Sequence, residues 1–135
     1  MNRVFADSYY FIALLNERDA AHHRAVGFSR NFRGGVITTR WILAEVADAL
    51  CRKGMREGVA RFLVVVHTLP SIQVLADSDA LFDEGLELYC RRPDKEWSLT
   101  DCISFRVMSD MGLAEALTGD RHFEQAGFIA LLTED

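Results

Sequence analysis

Four acidic residues stand where a chain alternating short strands with helices would gather them. Asp7 closes the segment "RVFA" and Asp120 follows "EALT". Asp101 falls in the first turn of the helical pattern after "EWS", and Glu45 lies in the helix after "VITT". In a parallel sheet, strand ends and the helices that follow them share one edge. Carboxylates brought together there repel one another, so they must share protons or a cation. Oxygen ligands with no neighbouring histidine or thiolate make a hard site, suited to Mg²⁺ or Mn²⁺ rather than zinc or copper. The matching chemistry is phosphodiester hydrolysis, in which the cation polarises the phosphoryl oxygen, acidifies a water and stabilises the leaving alkoxide.

Each acid also has an ordinary structural explanation. Asp7 can cap the helix that follows it, and Asp120 can shape the turn "TGDR". Glu45 borders the apolar face formed by Ile42, Val46, Ala49 and Leu50, where a carboxylate needs a partner such as an arginine. Ser98 and Asp101 have the S-x-x-D spacing of a capping box. For Asp101 the two roles are compatible, because the macrodipole at a helix start favours the ionised form that a ligand needs.

The elements that must position these acids follow from pattern. "RVFA", "GGVITT", "IQVLA", "AEALTGD" and "FIALL" read as strands, the fourth breaking at Gly119. Between them, helices are predicted over "YYFIALLN", "AAHHRAVGFSRNF" with Asp19 as N-cap, and "RWILAEVADALCRKG" with Gly54 as the terminating glycine. Further helices cover "REGVARFLVVVHTL", "SDALFDEGLELYCRR" with Leu81, Gly85 and Leu88 on one side, and the stretch after the Pro93 turn. Strands alternating with helices imply βαβ units and a mostly parallel, twisted sheet covered on both faces.

Bulk properties narrow the class. At 135 residues the chain reads as one domain, 1–135, with room for a real core. No apolar run approaches the ~20 residues that cross a bilayer, and an acid at Asp7 comes too early for a signal peptide. The expectation is a cytoplasmic protein. Cys51, Cys90 and Cys102 form no C-x-x-C and are expected to be buried, reduced thiols. A net charge of −5 argues against a protein held on nucleic acid by bulk positive charge. It does not exclude a nuclease, because acids around a cation invert the local field.

Some residues stay open. His22 and His23 point about 100° apart on a helix and do not suit joint ligation. His122 braces a turn or reaches substrate, and Arg121 is the better placed to meet a phosphate. Asp94, after Pro93, is a solvated turn residue or a fifth acid near the site. "CRKGMREGVAR" and "CRRPDK" either track an RNA backbone or are solvated helix ends. Core packing accounts for most of the apolar "RFLVVVH", and a dimer or partner face would explain any excess.

"DSYYFIALLNERDAAHHRA", "TTRWILAEVADAL", "KEWSLTDCISFRVM" and "ALTGDRHFEQAGF" resemble the successive blocks of PIN domains, most closely those of VapC-type toxin ribonucleases. The resemblance runs from about Val4 to Leu132. It implies a three-layer α/β/α sandwich and a Mg²⁺- or Mn²⁺-dependent endoribonuclease whose acids are Asp7, Glu45, Asp101 and Asp120. It also implies an RNA substrate, a homodimer and a small antitoxin partner. The alternative is a non-catalytic PIN-like module that binds nucleic acid or protein. Receiver and phosphatase folds need an acid pair or a D-x-D that "DSYY" does not supply.

Overall fold

A computed structural model describes residues 2–134. Five parallel strands form one sheet in the order β3-β2-β1-β4-β5. They are β1 Arg3–Ala6, β2 Gly35–Thr39, β3 Ile72–Leu75, β4 Glu115–Leu117 and β5 Ile129–Ala130. The helices are α1 Ser8–Leu15, α2 His22–Asn31, α3 Arg40–Ala49, α4 Arg56–Val65, α5 Asp79–Arg91, α6 Leu99–Met111 and α7 Arg121–Gln125. The chain moves outward from β1 through β2 to β3, then returns to the other side of β1 for β4 and β5. The reversal falls between β1 and β4, and in parallel α/β sheets ligands bind beyond the strand ends at such a point.

The central strands are apolar because both faces are covered, as a parallel sheet requires. Val4, Phe5 and Ala6 of β1 and Ala116 and Leu117 of β4 are buried. On one side α1 packs against α2 and α3, and α3 against α4. On the other, α5 lies along α6, and α6 meets α7. Phe123 of α7 stacks on Phe5 and meets Phe105 of α6 edge-on, tying the last helix to the first strand. No helix among the described residues is long and apolar enough to cross a membrane.

Several local expectations are corrected. Asp19 does not cap α2. Its carboxylate accepts from the Ala21 N–H at 2.8 Å and its carbonyl from the His22 N–H at 3.0 Å, so it closes the turn before the helix. Helix α3 stops at Ala49 rather than running to Gly54. Leu50 turns into the core, and the Arg52 carbonyl accepts the Met55 N–H at 3.0 Å to start the turn into α4. Ala49 is therefore exposed, and Leu43 completes the buried face in its place. Only Cys102 is buried. Cys51 lies past the end of α3 and Cys90 on the outer side of α5 beside exposed Tyr89, so both are exposed. Helix α7 was missing from the pattern reading, although an Asp at its N-cap and Gly127 with φ 97° after its end mark it.

Candidate active site

Asp7 leaves β1 at the switch point and is 5 % exposed. It occupies the N-cap position of α1 but makes no side-chain capping bond, so the cap does not account for it. Its Oδ2 instead accepts the Thr118 hydroxyl at 2.8 Å, from the end of the neighbouring β4. Thr118 is itself fully buried. Burial pushes the Asp7 carboxyl up from 3.8 to about 7; the charges of Asp101 and Glu45 push the same way, and the Thr118 hydroxyl opposes them.

Glu45 stands on the edge of α3's buried face, as its position in the helix predicts. Burial raises its pKa, and Asp101 and Asp120 add to the rise, while the Ser8 hydroxyl works against it. No arginine pairs with it among the described residues. Asp101 and Glu45 thus act on Asp7, Asp101 and Asp120 on Glu45, and Asp120 on Asp101.

Asp101 is both cap and site-facing acid. Ser98 Oγ accepts the Asp101 N–H at 3.0 Å, and Asp101 Oδ2 accepts the Ser98 N–H at 3.2 Å, completing the capping box. The same Oδ2 lies 3.1 Å from His122 Nδ1, whereas Oδ1 takes part in neither contact. Burial raises the Asp101 pKa despite the opposing Ser98 N–H. Burial thus works against the helix start, which favours the ionised form.

Asp120 caps α7, its Oδ1 accepting the His122 N–H at 2.9 Å. Thr118 accepts the Asp120 N–H at 3.0 Å, so one threonine fixes both strand-end acids. At Gly119 between them a Cβ would stand 2.5 Å from the Tyr9 ring, so a side chain there requires that ring to move.

His122, open in the sequence as a turn brace or a substrate contact, faces the site acids. Its Nδ1 faces Asp101 at 3.1 Å and Asp120 at 3.5 Å. Asp101, Asp120 and His122 together could hold a metal ion, with donor atoms within 4.8 Å of one another. The premise of a carboxylate set without a neighbouring histidine is thus corrected. The signal was present as the dipeptide spacing in "DRH", but the contact to Asp101 spans the fold.

A cleft of about 500 Å³ opens beside these groups, lined by Asp94, Lys95, Asp120, Arg121, His122 and Gln125 among others. Asp94 sits on its rim, exposed and chelated by Arg92 at 3.0 and 2.9 Å, which holds its carboxyl down at about 2. It is a solvated turn residue in its contacts. Arg92 and Lys95 lie over the Trp97 ring at 5.2 and 6.0 Å, so "CRRPDK" is braced rather than loose. In the other basic stretch, Arg61 pairs with Glu57 along α4.

The PIN domain family model matches residues 4–129, and the chain belongs to that family. It is 31% identical over 133 residues to the 23S rRNA-specific endonuclease VapC20 of Mycobacterium tuberculosis, covering 97% of this chain and 99% of the relative, in both strain CDC 1551 / Oshkosh and strain ATCC 25618 / H37Rv. The crystal structure of Mycobacterium tuberculosis VapC20, described as a sarcin-ricin loop cleaving toxin, superposes with a TM-score of 0.86 at 25% identity, over 93% of this chain and 96% of that one.

Proposed function

We propose that this chain is a metal-dependent endoribonuclease that hydrolyses RNA phosphodiester bonds, the toxin of a toxin–antitoxin pair. The observation that carries the reading is Asp7. A carboxylate buried at a strand end, with one hydroxyl as side-chain hydrogen-bond partner and acids around it, lacks a countercharge that a divalent cation supplies. The carboxylates of Asp7, Glu45, Asp101 and Asp120 fit Mg²⁺ or Mn²⁺. Bound there, the cation would acidify the attacking water and stabilise charge on the phosphoryl group and leaving oxygen.

The chain's own residues do the rest. Thr118 holds Asp7 and Asp120 in register across two strands. The Ser98 capping box fixes Asp101. Lys95 and Arg121 line the cleft and meet the RNA backbone locally, in a protein whose net charge is −5. The named relatives make a structured ribosomal RNA loop the first substrate class to test. The reading carries with it a cytoplasmic location, a single domain and a small antitoxin partner.

It also carries a homodimer. Val64, Val65 and Leu69 are 75 %, 46 % and 38 % exposed near the end of α4, an apolar surface suited to a second copy. Light scattering showing only monomer at micromolar concentration would count against the dimer.

The deciding experiment is incubation of purified protein with ribosomal RNA and Mg²⁺ or Mn²⁺, with and without EDTA. Cleavage with either metal that stops with EDTA supports the reading. Activity surviving exhaustive EDTA sinks the metal mechanism, and binding without cleavage favours the non-catalytic module.

A further inference from the structure

We infer that His122 is a nitrogen ligand of the metal, so that the site binds Mn²⁺ in preference to Mg²⁺. The inference rests on the metal-dependent reading above and adds a donor that the four acids do not include. Helix α7 begins at Asp120, whose carboxylate accepts the His122 N–H and so fixes the residue's backbone at the site. The ring then places Nδ1 against two carboxylate oxygens from different elements, at 3.1 Å for Asp101 Oδ2 and 3.5 Å for Asp120 Oδ1.

One Nδ1–H cannot serve both acceptors well. The longer contact is at the limit of a hydrogen bond, and both oxygens already accept a backbone N–H. A cation among the three atoms serves all of them at once. The donor atoms of Asp101, Asp120 and His122 all lie within 4.8 Å of one another, close enough to converge on one ion. The cleft lined by Asp120 and His122 gives an entry path.

The donor set decides the metal. Mg²⁺ prefers oxygen and keeps its waters. Imidazole suits transition metals, and Mn²⁺ is the member of that series that carboxylates also suit. A mixed set of carboxylates and one imidazole therefore favours Mn²⁺.

The test is pulsed electron paramagnetic resonance of Mn²⁺ added to the metal-free protein. A directly bound imidazole nitrogen gives a ¹⁴N echo modulation that an all-oxygen site lacks. The parent should show it, and ¹⁵N-histidine labelling should change it to the ¹⁵N pattern without altering the fold. His122→Gln should bind Mn²⁺ without the modulation; His122→Asn serves if the first variant does not fold. By calorimetry, His122→Gln should lose at least the roughly tenfold in Mn²⁺ affinity that loss of a mere outer-shell partner costs, and much less in Mg²⁺ affinity. Bound Mn²⁺ with an all-oxygen spectrum overturns the inference and leaves the metal nuclease standing. A modulation that persists in both variants overturns it too. No Mn²⁺ binding by the parent overturns this inference, and the metal-dependent reading falls with it only where Mg²⁺ does not bind either.

Discussion

The Thr118 hydroxyl donates to the buried Asp7 carboxylate at 2.8 Å, joining the ends of β1 and β4 where the sheet reverses direction. That bond is the larger of two contacts that favour the Asp7 carboxylate against desolvation and two neighbouring acids, the other being the Ser8 backbone. Removing it should cost what a hydrogen bond to a charged group contributes, about 1.5–3 kcal/mol. Thr118→Val should push the Asp7 pKa above its present value of about 7 and weaken the metal-free protein at pH 8 more than at pH 5. Thr118→Ser should restore both. A ¹³C titration of the Asp7 carboxyl in EDTA reads the shift; an unmoved titration would sink the assigned role of Thr118.

Asp7 also sets a direction for stability against pH. Its pKa is about 7 in the folded chain and 3.8 as the unperturbed reference. Between those values the native state holds a proton that the unfolded state has released. Stability is therefore fully present below about pH 4 and is lost as pH rises through about 7. The loss is on the order of 4 kcal/mol, at 1.36 kcal/mol per unit. Glu45 and Asp101, both raised by burial, add in the same direction. Asp7→Asn should flatten the curve and be the more stable protein at pH 8 without metal. Urea unfolding in EDTA from pH 4.5 to 8.5 measures it, and parallel curves for parent and variant would refute the assignment.

For Asp101, cap and site can be separated by substitution. Asp101→Asn keeps an oxygen that accepts the Ser98 N–H, so the capping box survives, and the lost charge costs at most about 1 kcal/mol through the helix dipole. Relief of repulsion with Asp120 and its neighbours offsets that cost. The metal-free variant should be at least as stable as the parent, lose most RNA cleavage and gain less thermal stability from Mn²⁺. A variant less stable without metal that still cuts at the parent rate would reduce Asp101 to a cap.

What could be read ahead of the structure divides by the range of the interaction. Strands and most helices declare themselves through local periodicity, and the capping box at Ser98 is contained in four consecutive residues. The acids were placed at one edge by the logic of parallel sheets. The hydroxyl that locks Asp7 is 111 residues away, and strand order alone brings it there. His122 meets Asp101 across 21 residues, through a short helix that has no apolar period long enough to detect. Burial was harder still. Cys90 and Cys102 look alike in sequence, but one lies on α5's outer side and the other on the core side of α6.

Gly85 links packing to the site. It is buried in the middle of α5, the helix that lies along α6, and a Cβ there would overlap Ile103 Cγ1 and stand 2.9 and 3.0 Å from the Ile103 Cα and N. Two of those atoms are backbone, so a rotamer change does not make room and α6 itself must shift. Asp101 is two residues before Ile103 on the same helix, so the shift moves a candidate ligand. Alanine would gain about 1 kcal/mol in helix propensity over glycine, while overpacking costs about 1–3 kcal/mol. Gly85→Ala should therefore be net destabilising, and it should lower cleavage further than the stability loss explains. Adding Ile103→Ala removes the Cγ1 clash but not the backbone one, so rescue should be partial. Gly27→Ala in α2, where a Cβ meets nothing within 4 Å, is the control and should stabilise by about 0.5–1 kcal/mol with cleavage unchanged. Urea unfolding and RNA cleavage measured side by side decide it: a Gly85→Ala protein as stable and as active as the parent would mean that α6 has slack, and that its grip on Asp101 comes from the Ser98 cap alone.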